Sequence, residues 1–595
     1  MGYNRKLVDR QQTPDSREKA MRQQIAALVS QTLLSLMAEG VFTHVELPQD
    51  FIERPREKSH GDWASTIALK LSKALGKNPR EIAETIAARI ATDQRIAQIE
   101  VAGPGFINIT LATPALQAEI INAHSQGSNY ARNNSGAGRR VNVEFISANP
   151  TGPMHVGHGR WAALGNALCN LLEHSGWQVT REFYINDAGH QMDVFANSVL
   201  LRYRELAGEQ IEIPDEFYGG SYIKDIAQTI WDAEGDTWLT GEQTASAVDA
   251  KEPGAEWPAR LEHFRECAYR LMLEDMQNLC QRIEVPFDIW FSERTLYQAT
   301  EAGISPIERM LERLAERGYL YELDGATWFR ATEFADDKDR VLVKSDGSYT
   351  YFCPDIAYHL DKLERIGSGS DYLVNIWGAD HHGYVARMQA ALAASGHPDC
   401  LRVLLGQLVN LYRAGEAVRM SKRTGEMVTF VELIDEVGAD ATKYLMLTRS
   451  SDQAIDFDIE AAKRADASNP VYYVQYAHAR ICSLLRKAEA QGLSSDRPLE
   501  AFDLVGLTDV SELELARIFG RLEEVIESAA RDLAPNRLTS YAEELAQAFH
   551  SFYTRCPVLT EERSLALARL YLAESTRSVL ALVLGLIGVQ APERM

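Results

Sequence analysis

Apolar and polar positions divide the chain into three regions before any motif is considered. From Met21, the residues Ile25, Leu28, Val29, Leu33 and Leu34 recur at three- and four-residue spacing and predict an amphipathic helix. A second helix opens at Asn78-Pro79-Arg80-Glu81, with proline in its first turn. Beyond it, Ile99-Glu100-Val101-Ala102 leads through Gly103-Pro104-Gly105 into the alternating strand Phe106-Ile107-Asn108-Ile109. Residues 21–125 therefore predict an α+β domain of helices followed by strands, and the polar stretch 125–138 is the first boundary. From Arg139 to about residue 455, short apolar runs over 141–146, 179–185, 371–377 and 401–405 alternate with helical stretches, which predicts an α/β domain on a parallel sheet. This domain spans 130–460 and carries, over about 194–290, a mostly helical, acidic insertion rich in Trp and Tyr. After about 460 the strand signal ends. Tyr541, Leu545, Ala548, Phe549 and Phe552 keep helical spacing, so 461–595 is expected to be all helical.

Composition changes little in this picture. A length of 595 residues accommodates roughly three to four domains. The net charge of -23 gives no support to nonspecific nucleic-acid binding, yet a local basic groove can still hold an RNA. The seven cysteines form no CxxC pair and are expected as reduced thiols rather than disulfides or a zinc site. Residues 1–20 are polar and basic (Arg5, Lys6, Arg10, Arg17, Lys19) with no apolar run behind them; they predict a loose, flexible extension and not a signal peptide. The longest apolar run, 579–589, is too short to cross a bilayer. GxxxxGK[ST], GxGxxG after a strand and HExxH are all missing, so a nucleotide site has to be built another way.

Three constellations carry chemistry. The first is the apolar strand Val141-Asn-Val-Glu144-Phe-Ile-Ser147, which runs into Ala148-Asn149-Pro150-Thr151-Gly152-Pro153-Met154-His155-Val156-Gly157-His158. A helix follows over about 160–174, its start close to His155. Two histidines three apart at a helix start share a face where backbone N–H groups point outward. That arrangement suits nucleotide phosphates, with imidazoles donating to oxygens that gain charge in the transition state. Gly157 leaves room for a flat base against the backbone. Taken alone, such a pair is more simply two helix-start histidines satisfied locally; the whole Pro-Gly-Pro-His crossover is what favours a site.

His155-Val-Gly-His158 resembles the first signature of class I aminoacyl-tRNA synthetases, and the stretch from Glu144 to His158 resembles the arginyl member of bacterial type. The resemblance implies a Rossmann-type catalytic domain, with His155 and His158 on ATP phosphates and Gly157 against adenine. Far downstream, Val418-Arg419-Met-Ser421-Lys422-Arg423-Thr-Gly425 is by itself a solvated basic loop. It is similar to the second class I signature, which implies that Lys422 closes on the pyrophosphate leaving group and that Ser421 donates from its hydroxyl. Arg419 and Arg423 stand where that signature has lysine and serine. The third constellation, Tyr351-Phe-Cys-Pro-Asp355, offers an acid that suits the planar fork of a guanidinium, or equally an acid at a helix start. The resemblance places Tyr351 and Asp355 on the arginine side chain, and Glu144 and Asn149 on the rest of the amino acid. It also gives Asp380 and His381, in Asn375-Ile-Trp-Gly-Ala-Asp380-His381-His382-Gly-Tyr384, to the ATP ribose and base in preference to a metal.

Further resemblances cover nearly everything after Met21. Residues 21–125, with Gly61-Asp62 and Gly103-Pro-Gly-Phe106, are similar to the family's amino-terminal domain, which contacts the tRNA elbow. The run Ala548-Phe-His-Ser-Phe-Tyr553 and the ending Gly588-Val-Gln-Ala-Pro-Glu-Arg-Met595 are similar to its anticodon-binding domain. The aromatics of Asn469-Pro-Val-Tyr-Tyr-Val-Gln-Tyr-Ala-His-Ala-Arg480 read by themselves as core residues. A pocket built for a guanidinium rejects competitors by roughly 10⁴–10⁵-fold, so the 194–290 insertion is expected as a tRNA-end platform or packing element and not an editing domain. The implied activity joins L-arginine to tRNA(Arg) through arginyl-adenylate. ATP is the second substrate, with Mg2+ carried by the nucleotide. No resident metal and no membrane are implied, and the enzyme is expected to be a cytoplasmic monomer. The rivals are a class I synthetase for another amino acid and a synthetase-like tRNA binder without catalysis.

Overall fold

The computed structural model describes residues 21–55, 57–239, 259–301, 303–367, 372–418, 428–493 and 501–595. The expected extension at 1–20 and the basic loop with Ser421 and Lys422 lie outside them.

The amino-terminal region packs the helices Met21–Ala38, Ile67–Leu75, Pro79–Ile90 and Thr113–Gln126 on a four-stranded sheet. Asn78 caps the third of these, its side chain accepting from the Arg80 amide at 2.9 Å. The order of elements differs from the expected helices-then-strands. Two short strands, Ile52–Glu53 and Trp63–Ser65, come before the second helix and pair antiparallel with each other, and Trp63–Ser65 pairs antiparallel onto Phe106–Leu111. Gly61 makes that return possible. Its φ is +86°, and a Cβ there would lie 2.7 Å from the carbonyl oxygen of Ile109. Asp62 beside it accepts from the Leu111 amide at 2.7 Å and from Arg517 Nε at 2.8 Å, which fastens this region to the helical one.

The central sheet has five parallel strands: β1 (Arg140–Glu144), β2 (Gln178–Ile185), β3 (Ile289–Ser292), β4 (Tyr372–Gly378) and β5 (Leu401–Gly406). Their spatial order is β5-β4-β1-β2-β3, all neighbours parallel. Winding runs outward in both directions from β1, so a crevice opens at the carboxyl ends of β1 and β4, where ligands of doubly wound sheets sit. Four of these strands match the apolar runs. β3 was not anticipated; it is four half-buried residues on the sheet edge, inside the stretch expected to be insertion.

Helix α1 (Val156–His174) crosses from β1 to β2. The crossing from β2 to β3 holds α2 (His190–Leu206), α3 (Ser221–Glu234) and α4 (Ala259–Arg282), which share a separate core around Phe195, Tyr203, Ile223 and Phe264. Before β4 comes α5 (Phe352–Ile366), and before β5 comes α6 (His382–Ala394). The predicted strand over 141–146 stops two residues early. Ile146 and Ser147 take φ of +68° and +48°, a left-handed pair that turns the chain out of the sheet. The seven cysteines are unpaired.

The tail comprises the helices Pro470–Ala490, Val510–Phe519, Leu522–Asp532, Asn536–Arg555 and Arg563–Ile587, with no strand among the described residues after Ile455–Asp458. The last helix is long and apolar enough to cross a membrane, but 67% of its apolar window is buried within the domain. Its run thus exceeds the 579–589 stretch and serves as the core helix of the tail. Of the aromatics that open the tail, Tyr473 packs against the core as expected, whereas Tyr476 does not. Tyr472 and Tyr476 stack at 5.9 Å, Tyr476 is 37% exposed, and His550 and Arg480 lie against it.

Candidate active site

The Pro-Gly-Pro turn sets His155 as the N-cap of α1 and His158 in its first turn. His158 Nδ1 accepts from the His155 amide at 3.1 Å, and the two rings stack at 3.7 Å. Gly157 is required here for a reason beyond the one expected: a Cβ on it would meet the His155 ring at 2.9 Å. The turn is held from two sides. Tyr222 of α3 donates to the Thr151 carbonyl at 2.9 Å and covers Gly152, so the insertion buttresses the motif. The Phe430 amide donates to the Met154 carbonyl at 2.8 Å, and Thr429 bridges His155. The chain thus returns from the basic segment directly onto the histidine turn. Arg160, fully buried, donates to the carbonyls of Gln407, Ser450 and Gln453 and anchors α1 rather than a ligand.

At the mouth of the crevice the predicted residues are open to solvent. Asn149 donates to Gln191 at 2.7 Å. Tyr351, the residue before α5, is 83% exposed. Asp380 and His381 pair at 3.7 Å with both side chains largely exposed.

Deeper in, the strand ends of β1 and β4 bring Glu144 beside Asn375. The Glu144 carboxylate accepts from Lys362 Nζ at 2.6 Å, from the Asn375 amide at 2.9 Å and from the Ser147 hydroxyl at 3.0 Å. The left-handed turn at Ile146 and Ser147 is what brings that hydroxyl back. Asp355 opens α5 and accepts from the Tyr384 hydroxyl. Burial pushes its carboxyl up to about 7; Glu293 and Glu144 add repulsion, while Tyr384 and Lys362 offset part of it. Glu293, at the end of β3, is also buried, and burial raises it too, against hydrogen bonds from Tyr184 and from Tyr297 at 3.1 Å. Among the described residues neither Asp355 nor Glu293 has an ion-pair partner. Buried Glu293 and half-buried Asp355, which repel one another and have no ion-pair partner among the described residues, form a candidate site for a cationic ligand.

Lys362, Asn375, His359 and Glu293 were not singled out in the sequence. Lys362 and His359 leave a signal: with Asp355 they fall at i, i+4 and i+7, one polar face on a helix that otherwise buries apolar residues, whereas Asn375 lies on β4. Glu293 leaves none, because its strand was not anticipated.

A doubly wound sheet whose first strand ends in this histidine turn defines the class I aminoacyl-tRNA synthetases. The chain matches the family models described as "Arginyl tRNA synthetase N terminal domain" over residues 20–111, "tRNA synthetases class I (R), catalytic domain" over 119–484 and "DALR anticodon binding domain" over 474–595. Within the class, it belongs to the arginyl-tRNA synthetase family. The arginine–tRNA ligase of Halorhodospira halophila is 45% identical over 97% of this chain and 100% of that protein. The Bacillus subtilis arginine–tRNA ligase is 43% identical over 94% and 97%. Among solved structures, a putative arginyl-tRNA synthetase from Campylobacter jejuni superposes with a TM-score of 0.71 at 31% identity, covering 82% of this chain and 100% of that one. The Thermus thermophilus enzyme gives 0.70 at 22%, covering 97% and 100%, a likeness of fold. The chain is an arginine–tRNA ligase: it activates arginine with ATP to arginyl-adenylate and pyrophosphate, then transfers arginine to the terminal adenosine of tRNA(Arg), releasing AMP.

Proposed function

We propose how the residues divide this reaction. The guanidinium of arginine enters between Asp355 and Glu293, and the observation that carries this assignment is that the two acids repel one another, Glu293 buried and Asp355 half-buried, with no ion-pair partner for either among the described residues. A guanidinium supplies the planar donor fork that such acids lack. Glu144 and Asn149 take the amino-acid end, and Tyr351 closes over the side chain from the mouth. The arginine carboxylate then lies toward the histidine turn and attacks the α-phosphate, expelling pyrophosphate. His155, His158 and Lys422, with the Ser421 hydroxyl, stabilise charge on the phosphates. One fact supports a role for Lys422: Thr429 and Phe430, a few residues after it in the sequence, pair with the histidine turn. Magnesium enters as part of the nucleotide substrate. Asp380 and His381 border the ribose and base, and Gly157 lies under adenine.

The division of the chain follows the same logic. Residues 21–125 contact the tRNA elbow, 130–460 perform catalysis and 461–595 read the anticodon. Exposed Tyr476, stacked on half-buried Tyr472 and with Arg480 over its ring, offers a stacking face of the kind that holds unpaired bases. The insertion supports the motif turn and receives the tRNA end; Tyr222 on Thr151 favours that role over editing. The enzyme acts as a cytoplasmic monomer, and adenylate formation waits for tRNA.

Arginine-dependent ATP–pyrophosphate exchange, with and without tRNA(Arg), tests these assignments. Exchange only with tRNA, abolished in Asp355→Asn, is the expected result. Exchange without tRNA removes the gating, and unchanged arginine use by Asp355→Asn removes the pocket assignment.

A further inference from the structure

Between Glu144 and Asp355 lies a chain of buried groups that the reaction as described does not use. Lys362 Nζ, a donor only, gives one hydrogen bond to Glu144 Oε2 at 2.6 Å and one to Asn375 Oδ1 at 3.0 Å. That fixes the orientation of the Asn375 amide. Its nitrogen must donate both to Glu144 Oε2 and to His359 Nε2, each at 2.9 Å. His359 Nε2 is thereby an acceptor, so its proton sits on Nδ1, which donates to the backbone carbonyl of Asp355 at 2.7 Å. Each bond in the sequence pairs one donor with one acceptor, and the chain has one direction, from a cation to the first turn of α5. Lys362 and Asn375 are 0% exposed, and His359 is 3% exposed. Burial and the neighbouring Lys362 charge keep the imidazole neutral.

A helix packed on a sheet needs no such chain, because apolar contacts are less costly to bury. We infer that Lys362, Asn375 and His359 are positioning residues for arginine: they compensate Glu144 so that its charge does not compete for the guanidinium, and they fix the backbone that carries Asp355. The inference rests on the pocket assignment above. It separates the two halves of the substrate problem. Glu144 is already neutralised and acts by placement, whereas Asp355 and Glu293 supply the charge.

The test compares His359→Phe with His359→Asn in arginine-dependent exchange with tRNA present, alongside thermal unfolding. His359→Phe removes the donor to the Asp355 carbonyl. His359→Asn keeps it, because the Asn side-chain nitrogen occupies the place of Nδ1. The expected result for His359→Phe is an arginine KM raised about tenfold or more, as misplacement of a bound group costs, with the ATP KM within twofold of the parent. His359→Asn is expected to recover most of that rise. Should His359→Phe fail to fold, Lys362→Arg, which keeps the charge but not the compact geometry, is expected to give the same split. Three results overturn the inference: an arginine KM within twofold in the folded variant, arginine and ATP KM values that rise together, or no recovery in His359→Asn. Asp355→Asn run in parallel separates the failures. If it also leaves the arginine KM unchanged, the pocket assignment falls; if it alone raises the KM, only the positioning role falls.

Discussion

The two ends of the crevice are built differently. At the amino-acid end, Glu144, Lys362, Asn375 and His359 are buried and fully hydrogen-bonded in the free protein. At the nucleotide end, Asp380 and His381 stand in solvent, and the half-buried histidines of the turn stack on one another. The contrast follows from what each ligand brings. A triphosphate carries high charge and arrives with its own cation, so donors can meet it at an open surface. Arginine must be distinguished from neutral and shorter side chains, and discrimination of that kind needs buried groups that go unpaired when the wrong ligand enters.

Asp355→Asn attacks this contrast most directly. Removing one partner of a buried charge pair costs several kcal/mol, so kcat/KM for arginine is expected to fall about 10³-fold. Exchange assays with arginine and citrulline side by side measure it. Selectivity for arginine over the neutral urea should shrink in parallel, while the ATP KM holds. Equal losses toward arginine and ATP would erase the distinction between the two ends.

At the other end, His158→Ala removes a donor from a solvent-facing site. Loss of one such electrostatic contact is worth about 10²–10³-fold in kcat. The arginine KM and the unfolding temperature should stay near the parent values, because His158 is half-buried and lies in the motif turn, away from the Glu144–Lys362–Asn375–His359 cluster. Single-turnover adenylate formation reads the step. A large rise in arginine KM would mean that the turn shapes the amino-acid pocket as well.

Stability should divide the ends in the same way. Lys362→Met strands the Glu144 carboxylate in the core and is expected to cost about 3–5 kcal/mol in denaturant unfolding. Glu144→Gln together with Lys362→Met removes both charges and should recover most of that loss. His381→Ala, at an exposed position, should change stability within about 0.5 kcal/mol.

The sequence made the open end more legible than the closed one. His155, Gly157 and His158 announce themselves through the prolines and glycines around them, and the start of α1 follows from that turn. Asp355 was legible as an acid near a helix start. Its supporting groups were spread over α5 and β4, and only tertiary pairing of β1 with β4 brings Asn375 against Glu144. Glu293 was lost with β3, since four half-buried residues at a sheet edge carry no alternation to detect. The tail aromatics show the opposite failure. Helical spacing cannot tell an inward stripe from an outward one, so it does not separate exposed Tyr476 from Tyr473, which packs on the core.

The smallest effect, and the finest probe of the closed end, is its response to pH. The Asp355 carboxyl sits at about 7, where an ordinary aspartate would be near 3.8. Guanidinium binding requires the ionised form, so apparent arginine affinity should plateau above about pH 8. Below 7 it should fall by up to about tenfold per unit. The sign for folding is opposite. Between 3.8 and 7 the folded chain holds a proton that the unfolded chain has released, so this group favours the folded state less as pH rises through that window. Titration of arginine KM between pH 5.5 and 8.5 measures the first effect. The groups acting on Asp355 are Tyr384, Glu293, Glu144 and Lys362; Glu293 repels it more than Glu144, which is paired with Lys362. Glu293→Gln removes its repulsion, so the midpoint should move to lower pH even as arginine binding weakens overall. A midpoint that stays in place would mean that burial alone holds Asp355 high and that the two acids do not act on one cation.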